Sequence, residues 1–147
     1  KTSVDYTIFF RELSEVPLDM HALKKSFYND ITSDETIEKR WSQWFTKWKN
    51  LITNSNATEL NATSSQSRQE LSQQMKLVNP KYTLREWILV PAYLKANEGD
   101  YSLVRELQEV MTQPYSEQNK EVEDKYYKPK ASEFFEVGGI SHVSCSS

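Results

Sequence analysis

The sequence predicts an all-α fold of about six helices that ends in a long irregular C-terminal tail. Apolar residues recur at helical spacing in several segments, and aromatic residues make up 12% of the chain, enough to build a core. Only 3 of the 147 residues are glycine, which disfavours tight hairpins and phosphate-binding loops. We expect a helical region over residues 1–112, with a polar loop at about 53–66, and the tail over residues 113–147.

Two short helices are predicted at the start of the chain. The first spans residues 5–16, and its apolar side is Tyr6, Phe9, Phe10 and Leu13. The second begins at Pro17, because proline lacks an N–H that a first helical turn does not need. Its apolar stripe is Met20, Leu23, Phe27 and Tyr28.

An aromatic helix follows. Thr32 and Glu35 have the spacing of a capping box, and Ser33 and Asp34 are alternative caps. The residues at helical spacing after them are Ile37, Trp41, Trp44, Phe45, Trp48, Leu51 and Ile52. Such a face is typical of a core helix. The other interpretation, a stacking platform for bases or sugars, needs a basic groove. A net charge of −3 does not indicate one, so nucleic acid is not an expected partner.

The polar stretch that follows, "TNSNATELNATSSQS", is predicted to be the loop. It contains two glycosylation sequons, at Asn56 and Asn61, of the kind that arise by chance in such composition. A further helix is expected over residues 67–78, and Asn79-Pro80 ends it, since the residue before proline is pushed away from helical geometry.

Two more helices are predicted before the tail. The segment "TLREWILVPAYLKANEGD" is typical of a buried helix that Pro91 kinks or breaks. Gly99 suits a left-handed C-terminal cap, and Asp100 can cap the next helix. The inner face of that helix is Leu103, Val104, Leu107, Val110 and Met111. Gln113-Pro114 closes it.

Motifs for catalysis or metal binding are missing from the sequence. His21 and His142 lie far apart, no His or Cys pair has zinc-ligand spacing, and neither a nucleophile elbow nor the protein-kinase motif set is present. No catalytic and no metal-binding residue is therefore assigned. No apolar run approaches the roughly 20 residues of a membrane span, so no membrane partner is expected. The chain starts without Met and without a targeting pattern, which suggests a piece of a longer polypeptide.

The one cysteine, Cys145, is the third residue from the end of the sequence. A pairing with His142 could lower its pKa, although a tail that follows two glycines does not fix such a pair. An exposed thiol of low pKa is open to oxidation. The residues alone leave both a redox role and an ordinary loose terminus open.

Four separated stretches resemble the C-terminal end of the selenoprotein O family. They are "NPKYTLREW" at Asn79–Trp87, "EGDYSLVRELQEVMTQPYSEQ" at Glu98–Gln118, "KYY" at Lys125–Tyr127, and the final "SCSS". The order and spacing of these stretches match the family over roughly the last 70 residues. The tail departs from the family at "KASEFFEVGGI", where members usually carry a Pro-Pro-x-Trp-Ala type of segment.

The resemblance implies a parent protein with a kinase-like pseudokinase fold that transfers AMP from ATP to Ser, Thr or Tyr hydroxyls of proteins. ATP and Mg or Mn would bind in an upstream kinase-like domain, which would be the partner of this helical portion along with the protein substrates. No cofactor would be bound by this chain itself. The location implied is mitochondrial in a eukaryote, with the bacterial cytoplasm as the alternative.

The same resemblance places Cys145 where family members carry selenocysteine or cysteine, which implies a redox-responsive residue. A disulfide to a cysteine elsewhere in the parent would tether the tail. The alternative function is a non-enzymatic helical interaction module whose Trp-rich face binds a partner chain. A stand-alone oxidoreductase ranks last, because the chain has no resolving cysteine.

Overall fold

The computed structural model describes residues 2–56 and 65–135, without the side chains of residues 54–56, 65–67 and 133. Six α-helices lie in these ranges: Tyr6–Leu13 (α1), Glu35–Asn56 (α2), Ser65–Val78 (α3), Glu86–Asn97 (α4), Ser102–Val110 (α5) and Lys120–Tyr126 (α6). Three 3-10 helices accompany them, at Met20–Ser26, Ile31–Ser33 and Ser132–Phe135. The only strand-like pairing over the described ranges is a single antiparallel bridge between Val4 and Phe27. The predicted all-α class is thus confirmed.

The chain divides into two compact units, Lys1–Asn79 and Pro80–Ser147. The boundary drawn from the sequence at residues 112–113 is not where the structure divides. The reason is that residues 114–128 bind to residues 81–85, as described below, so the beginning of the expected tail belongs to the second unit. Asn79-Pro80 does end α3, as predicted.

The first unit is built around aromatic and aliphatic side chains from α1, the first two 3-10 helices and α2. Its buried cluster is Phe9, Leu13, Met20, Leu23, Phe27, Ile31 and Phe45. Trp41 and Trp48 are partly buried and pack against this cluster, and Trp41 makes an edge contact with Phe27 at 5.0 Å between ring centroids. The interpretation of α2 as a core helix is confirmed for these residues. Trp44 is different, since it is 38% exposed.

The start of α2 shows which of the proposed caps is used. The Asp34 carboxylate accepts from the backbone N–H groups of Thr36 (2.9 Å) and Ile37 (3.2 Å). Thr32 is not the cap, because it lies in the preceding 3-10 helix and its hydroxyl donates to Asp30 at 2.7 Å. At its other end α2 runs to Asn56. The predicted loop at about 53–66 therefore overlaps helical residues at both ends.

The second short helix does not begin at Pro17. Val16 has a φ of 50°, so the chain turns before the proline, and a 3-10 helix starts at Met20. The Asp19 carboxylate caps that helix by accepting from the His21 N–H at 2.8 Å. The helix thus starts with a carboxylate cap, in which Asp19 accepts from a backbone N–H of the first turn. Pro17 lies before this cap, so the prediction that Pro17 begins the helix was wrong.

In the second unit, α4 and α5 pack against each other across a tight turn. Gly99 has a φ of 88°, and the N–H of Asp100 donates to the Lys95 carbonyl at 2.9 Å, which confirms the predicted cap. Asp100 in turn accepts from the Ser102 N–H at 2.9 Å. Pro91 was predicted to kink or break this helix; the break does not occur, because α4 continues through Pro91 to Asn97.

A sixth helix, α6, occupies part of the tail that was predicted to be irregular. The Asn119 side chain caps it by accepting from the Val122 N–H at 2.9 Å. Lys120 and Asp124 pair one turn apart at 2.6 Å. A helix of seven residues is too short to show an apolar period, which is why the pattern gave no sign of it.

Candidate functional site

The residue singled out for a redox role, Cys145, lies outside the described residues, and so does His142. The redox role therefore stays a prediction. His21 lies in the 3-10 helix Met20–Ser26 and is exposed. The structure does describe most of the stretches that carry the family resemblance, and it brings them together.

Lys81, Tyr82 and Arg85 form what we call the basic clamp, which holds the segment of residues 114–128. Lys81 is only 5% exposed, and its ammonium lies 2.7 Å from a Glu117 carboxylate oxygen and 3.2 Å from one of Glu123. The ammonium also lies 4.9 Å from the centroid of the Tyr127 ring. Lys81 therefore binds the tail segment through charge and through an aromatic face.

Burial and pairing act on Lys81 in opposite directions. Burial lowers its pKa, whereas hydrogen bonds and charge pairing with Glu117 and Glu123 raise it, and the net pKa lies above the ordinary value of 10.5. The side chain is therefore a protonated, paired ammonium at neutral pH. It is not a nucleophile or general base, which would need a lowered pKa.

Tyr82 adds hydrogen bonds to the same segment. Its hydroxyl donates to the Glu117 carbonyl at 2.8 Å, and the residue is 2% exposed. The backbone N–H groups of Lys81 and Tyr82 both donate to the Pro114 carbonyl, at 2.8 and 3.1 Å. The "NPKY" and "QPY" stretches of the sequence are thus bound to each other through main chain and side chains.

Arg85 holds the far end of the segment. It is 7% exposed, and its Nη2 donates to the carbonyls of Tyr126 (3.2 Å) and Lys128 (2.9 Å). Its guanidinium carbon lies 5.0 Å from the Trp87 ring centroid. Such an arrangement suits arginine, because the planar group donates to several acceptors and also stacks on an aromatic ring.

The contacts of α6 reinforce this anchoring. The Tyr126 hydroxyl donates to Glu106 of α5 at 2.8 Å, and the Lys125 ammonium reaches the same carboxylate at 2.6 Å. Burial and the Glu106 carboxylate raise the pKa of Tyr126, so the phenol stays protonated as a donor. Burial raises the pKa of Glu106, but the bonds from Lys125 and Tyr126 outweigh it and lower the net value.

Beyond the clamp the chain remains attached as far as Phe135. Phe134 stacks on Trp87 with 6.3 Å between centroids and 26° between planes. The Lys130 ammonium lies 4.8 Å from the Phe135 ring centroid, and Lys130 is 9% exposed. The point from which residues 136–147 continue is therefore fixed on the second unit. The sequence pattern gave no sign of a role for Lys81, Tyr82 or Arg85. The hydrogen-bond partners of their side chains lie 35 to 43 residues away, which leaves no local signal.

Each of the two units has a surface groove with a large apolar share in its lining. The first, which we call the aromatic groove, has a volume of about 560 Å³ and belongs to the first unit. It is lined by Thr2, Phe9, Ile37, Arg40, Trp41 and Trp44. The second, between α4 and α5, has about 500 Å³ and is lined by Leu84, Leu89, Ala92, Tyr93, Val104, Leu107, Gln108, Met111 and Thr112. Its mainly apolar lining offers no convergent set of charged groups.

Neither groove contains a set of metal ligands. In residues 2–56 and 65–135, no three His, Cys, Asp or Glu side chains are grouped so that they could hold a metal ion. The described residues thus do not supply such a ligand set for Mg or Mn. The helices of these ranges include none with the length and apolarity that crossing a bilayer requires.

Similarity to curated proteins covers nearly all of the chain. It is 34% identical to the protein nucleotidyltransferase YdiU of Azoarcus sp. (strain BH72) over 100% of its length, and 32% identical to that of Flavobacterium johnsoniae over 99%. The corresponding protein of Vibrio vulnificus (strain YJ016) is 34% identical over 97%. The chain belongs to the YdiU family, which is the selenoprotein O family. No protein-family model matches it.

The match places the chain in a C-terminal region of YdiU proteins. It covers 27%, 27% and 26% of the length of these three relatives, so it spans about a quarter of each. The predicted family resemblance is confirmed by these comparisons. All three relatives are bacterial, which agrees with the bacterial alternative for location and gives no support to a mitochondrial one.

Proposed function

We propose that this chain is the C-terminal helical region of a protein adenylyltransferase, which transfers AMP from ATP to Ser, Thr or Tyr hydroxyls of proteins. Support comes from similarity along the whole chain to relatives named protein nucleotidyltransferase. The observation that carries the assignment is the basic clamp. Lys81, Tyr82 and Arg85, which belong to one of the resembling stretches, are buried and bonded to residues 114–128, as expected of a supporting region and not of a catalytic centre.

The chemistry of the transfer belongs to the upstream kinase-like part of the parent. A substrate hydroxyl oxygen attacks the α-phosphorus of ATP, the bond between that phosphorus and the bridging oxygen to the β-phosphate breaks, and pyrophosphate leaves. The hydroxyl proton passes to a base in the upstream part. No residue of this chain takes part in that step, and the upstream part would hold ATP together with Mg or Mn.

Labelled ATP tests the transfer in the full-length protein. We expect label at the α-phosphate to be incorporated into the protein itself or into added proteins, and label at the γ-phosphate not to be. Incorporation of γ-label would identify a kinase instead. Nucleotide binding with no incorporation from either label would contradict the proposal.

Cys145 is proposed as the redox-responsive residue of the parent. It lies ten residues after Phe135, so an extended chain lets it reach roughly 35 Å from that anchored point. Oxidation by a small-molecule disulfide would join Cys145 to a second cysteine of the parent, with the two electrons and two protons passing to the oxidant to give two thiols. Disulfides of this transient kind are the ones that occur in the bacterial cytoplasm, the location we propose.

The pairing is testable in the full-length protein by mass spectrometry under non-reducing conditions. Wild type and the matched control Ser144→Ala should show a disulfide-linked peptide containing residue 145 after treatment with an oxidised dithiol, and Cys145→Ser should not. A free Cys145 thiol in the oxidised wild-type protein would rule out the redox role.

One observation favours the alternative, a non-enzymatic interaction module. Trp44 is 38% exposed in the aromatic groove, which is more than a helix serving only the core requires. This alternative predicts that a separate partner protein covers the groove and that the parent incorporates no AMP. We rank it second because a contact within the parent accounts for the same groove.

A further inference from the structure

We infer that Pro80 is a stiff one-residue joint that couples the hydrogen bonds at the start of the basic clamp to helix α1. The peptide groups on the two sides of Pro80 are held by hydrogen bonds that belong to different units. Loss of the bonds on one side should therefore weaken the bonds on the other side. This coupling is independent of AMP transfer, because both sets of bonds lie within the chain itself.

The peptide group before Pro80 is held by α1. Arg11 of this helix is 2% exposed, and its Nη1 donates to the Asn79 carbonyl at 3.0 Å. The Asn79 side chain donates to the Ser14 hydroxyl oxygen and to the Met75 carbonyl, both at 3.0 Å. The Asn79 carbonyl lies in the same peptide plane as the Pro80 nitrogen, so this plane is anchored within the first unit.

The peptide group after Pro80 is held within the second unit. The Lys81 N–H lies in this next peptide plane and donates to the Pro114 carbonyl at 2.8 Å. The Tyr82 N–H donates to the same carbonyl at 3.1 Å. Two adjoining peptide planes are thus anchored in different units, and only the backbone torsions of Pro80 lie between them.

Proline at this position leaves one soft torsion between the two planes. Its ring holds φ at about −65°, so rotation is confined to the ψ of Pro80. When the Lys81 bond opens while Asn79 stays anchored, the freed peptide plane can turn only about that torsion. Without the Asn79 anchor the same opening frees the backbone of a further residue, which favours the open state by a factor of about five or more. The two anchors therefore stabilise each other.

Native-state hydrogen exchange in the full-length protein tests the coupling. Arg11→Met removes the anchor of the Asn79 carbonyl, and the reporters are the amides of Lys81 and Tyr82. We expect both amides to exchange at least about fivefold faster than in wild type. The matched control is Ser26→Ala, which removes a buried 2.6 Å hydrogen bond elsewhere in the first unit and should leave both amides unchanged. Equal acceleration by the control, or none by Arg11→Met, would overturn the inference.

A substitution at the joint tests the role of Pro80 itself. Glycine frees φ, so in Pro80→Gly the further change Arg11→Met should accelerate the two amides less than about twofold. The same acceleration with proline and with glycine at position 80 would overturn the inference. If Arg11→Met does not fold, Arg11→Lys replaces it with the same expected order of rates, because lysine lacks the planar donor group. These measurements use no ATP, so a failure of AMP transfer and a failure of the coupling are separate results.

Discussion

The buried pair of Lys81 with Glu117 and Glu123 leads to an asymmetric prediction about stability. The ammonium is 5% exposed, whereas the side chains of Glu117 and Glu123 are 55% and 35% exposed. In Lys81→Met the charge is removed, the apolar stem is retained, and both carboxylates can hydrate. In the double variant Glu117→Gln/Glu123→Gln the ammonium remains buried and loses both counter-charges. The double variant should therefore be the more destabilised, although it leaves the buried residue itself unchanged.

The magnitudes follow from the exposure of what each change leaves behind. Losing charged hydrogen bonds whose acceptors regain water costs about 1.5 kcal/mol, which applies to Lys81→Met. Leaving a buried charge without its partners costs about 3 to 5 kcal/mol, and we take about 3 because the glutamine oxygens still accept hydrogen bonds. At a factor of ten for each 1.4 kcal/mol, local opening should increase about tenfold for Lys81→Met and about 150-fold for the double variant.

Native-state hydrogen exchange in the full-length protein measures this opening. The reporter is the Tyr127 amide, which donates to the Glu123 carbonyl at 2.8 Å. The matched control is Lys120→Met, which removes an exposed pair with Asp124 and should leave Tyr127 exchange nearly unchanged. If Lys81→Met accelerates exchange as much as the double variant does, the ammonium is not held as a buried charge and the reasoning fails.

The pH dependence of the clamp has a definite sign. The pKa of Lys81 in the folded protein is raised above 10.5, so the folded state holds the proton more tightly than the unfolded state. The stabilisation is complete below pH about 10.5 and is lost as the pH rises through the folded-state pKa. Wild type should consequently lose its advantage over Lys81→Met only in strongly alkaline solution, and the difference should be constant between pH 6 and 9.

Three further predictions concern the helices, each measured by thermal or denaturant unfolding of the full-length protein. Pro91→Ala should stabilise α4 by about 1 to 3 kcal/mol, because alanine restores an N–H donor for the Trp87 carbonyl. Destabilisation would contradict this and would mean that packing of the proline ring stabilises the fold by more than the missing hydrogen bond costs. Gly99→Ala should destabilise by about 1 kcal/mol through its φ of 88° alone, since no atom lies within 4 Å of an added Cβ. Asp34→Ala should cost about 1 kcal/mol by removing the cap of α2, and a neutral result would indicate that another residue takes over.

The sequence predicted those elements whose signals are local. Helical spacing of apolar residues and the proline at position 80 gave α1 to α5, and Gly99 gave the turn between α4 and α5. The sequence could not show which of Thr32, Ser33 and Asp34 caps α2. All three residue types are good caps, and only the path of the backbone selects one of them. Pro91 was predicted to kink or break the helix, because proline is disfavoured in a helix interior. Packing of α4 against α5 and the segments around it outweighs that propensity.

The clamp could not be predicted from the same patterns. Nothing in the local pattern marks Lys81 and Arg85 as buried, since lysine and arginine side chains are almost never fully buried unless they are paired. Their partners lie in residues 114–128, and no periodicity connects positions so far apart. Burial of a charge is decided by tertiary structure, so a pattern along the chain can indicate the helices but not the ion pairs between them.

The basic clamp also changes what the family resemblance means physically. The stretches Asn79–Trp87 and Glu98–Gln118 were two separate parts of the resemblance. In the structure they are hydrogen-bonded to each other, because Lys81 and Tyr82 of the first donate to carbonyls of Pro114 and Glu117 in the second. A change in either stretch would release the other, so the two stretches depend on each other for a structural reason. Trp87, at the end of the first stretch, also stacks on Phe134, so contacts of this stretch extend almost to the last residue that the structure describes.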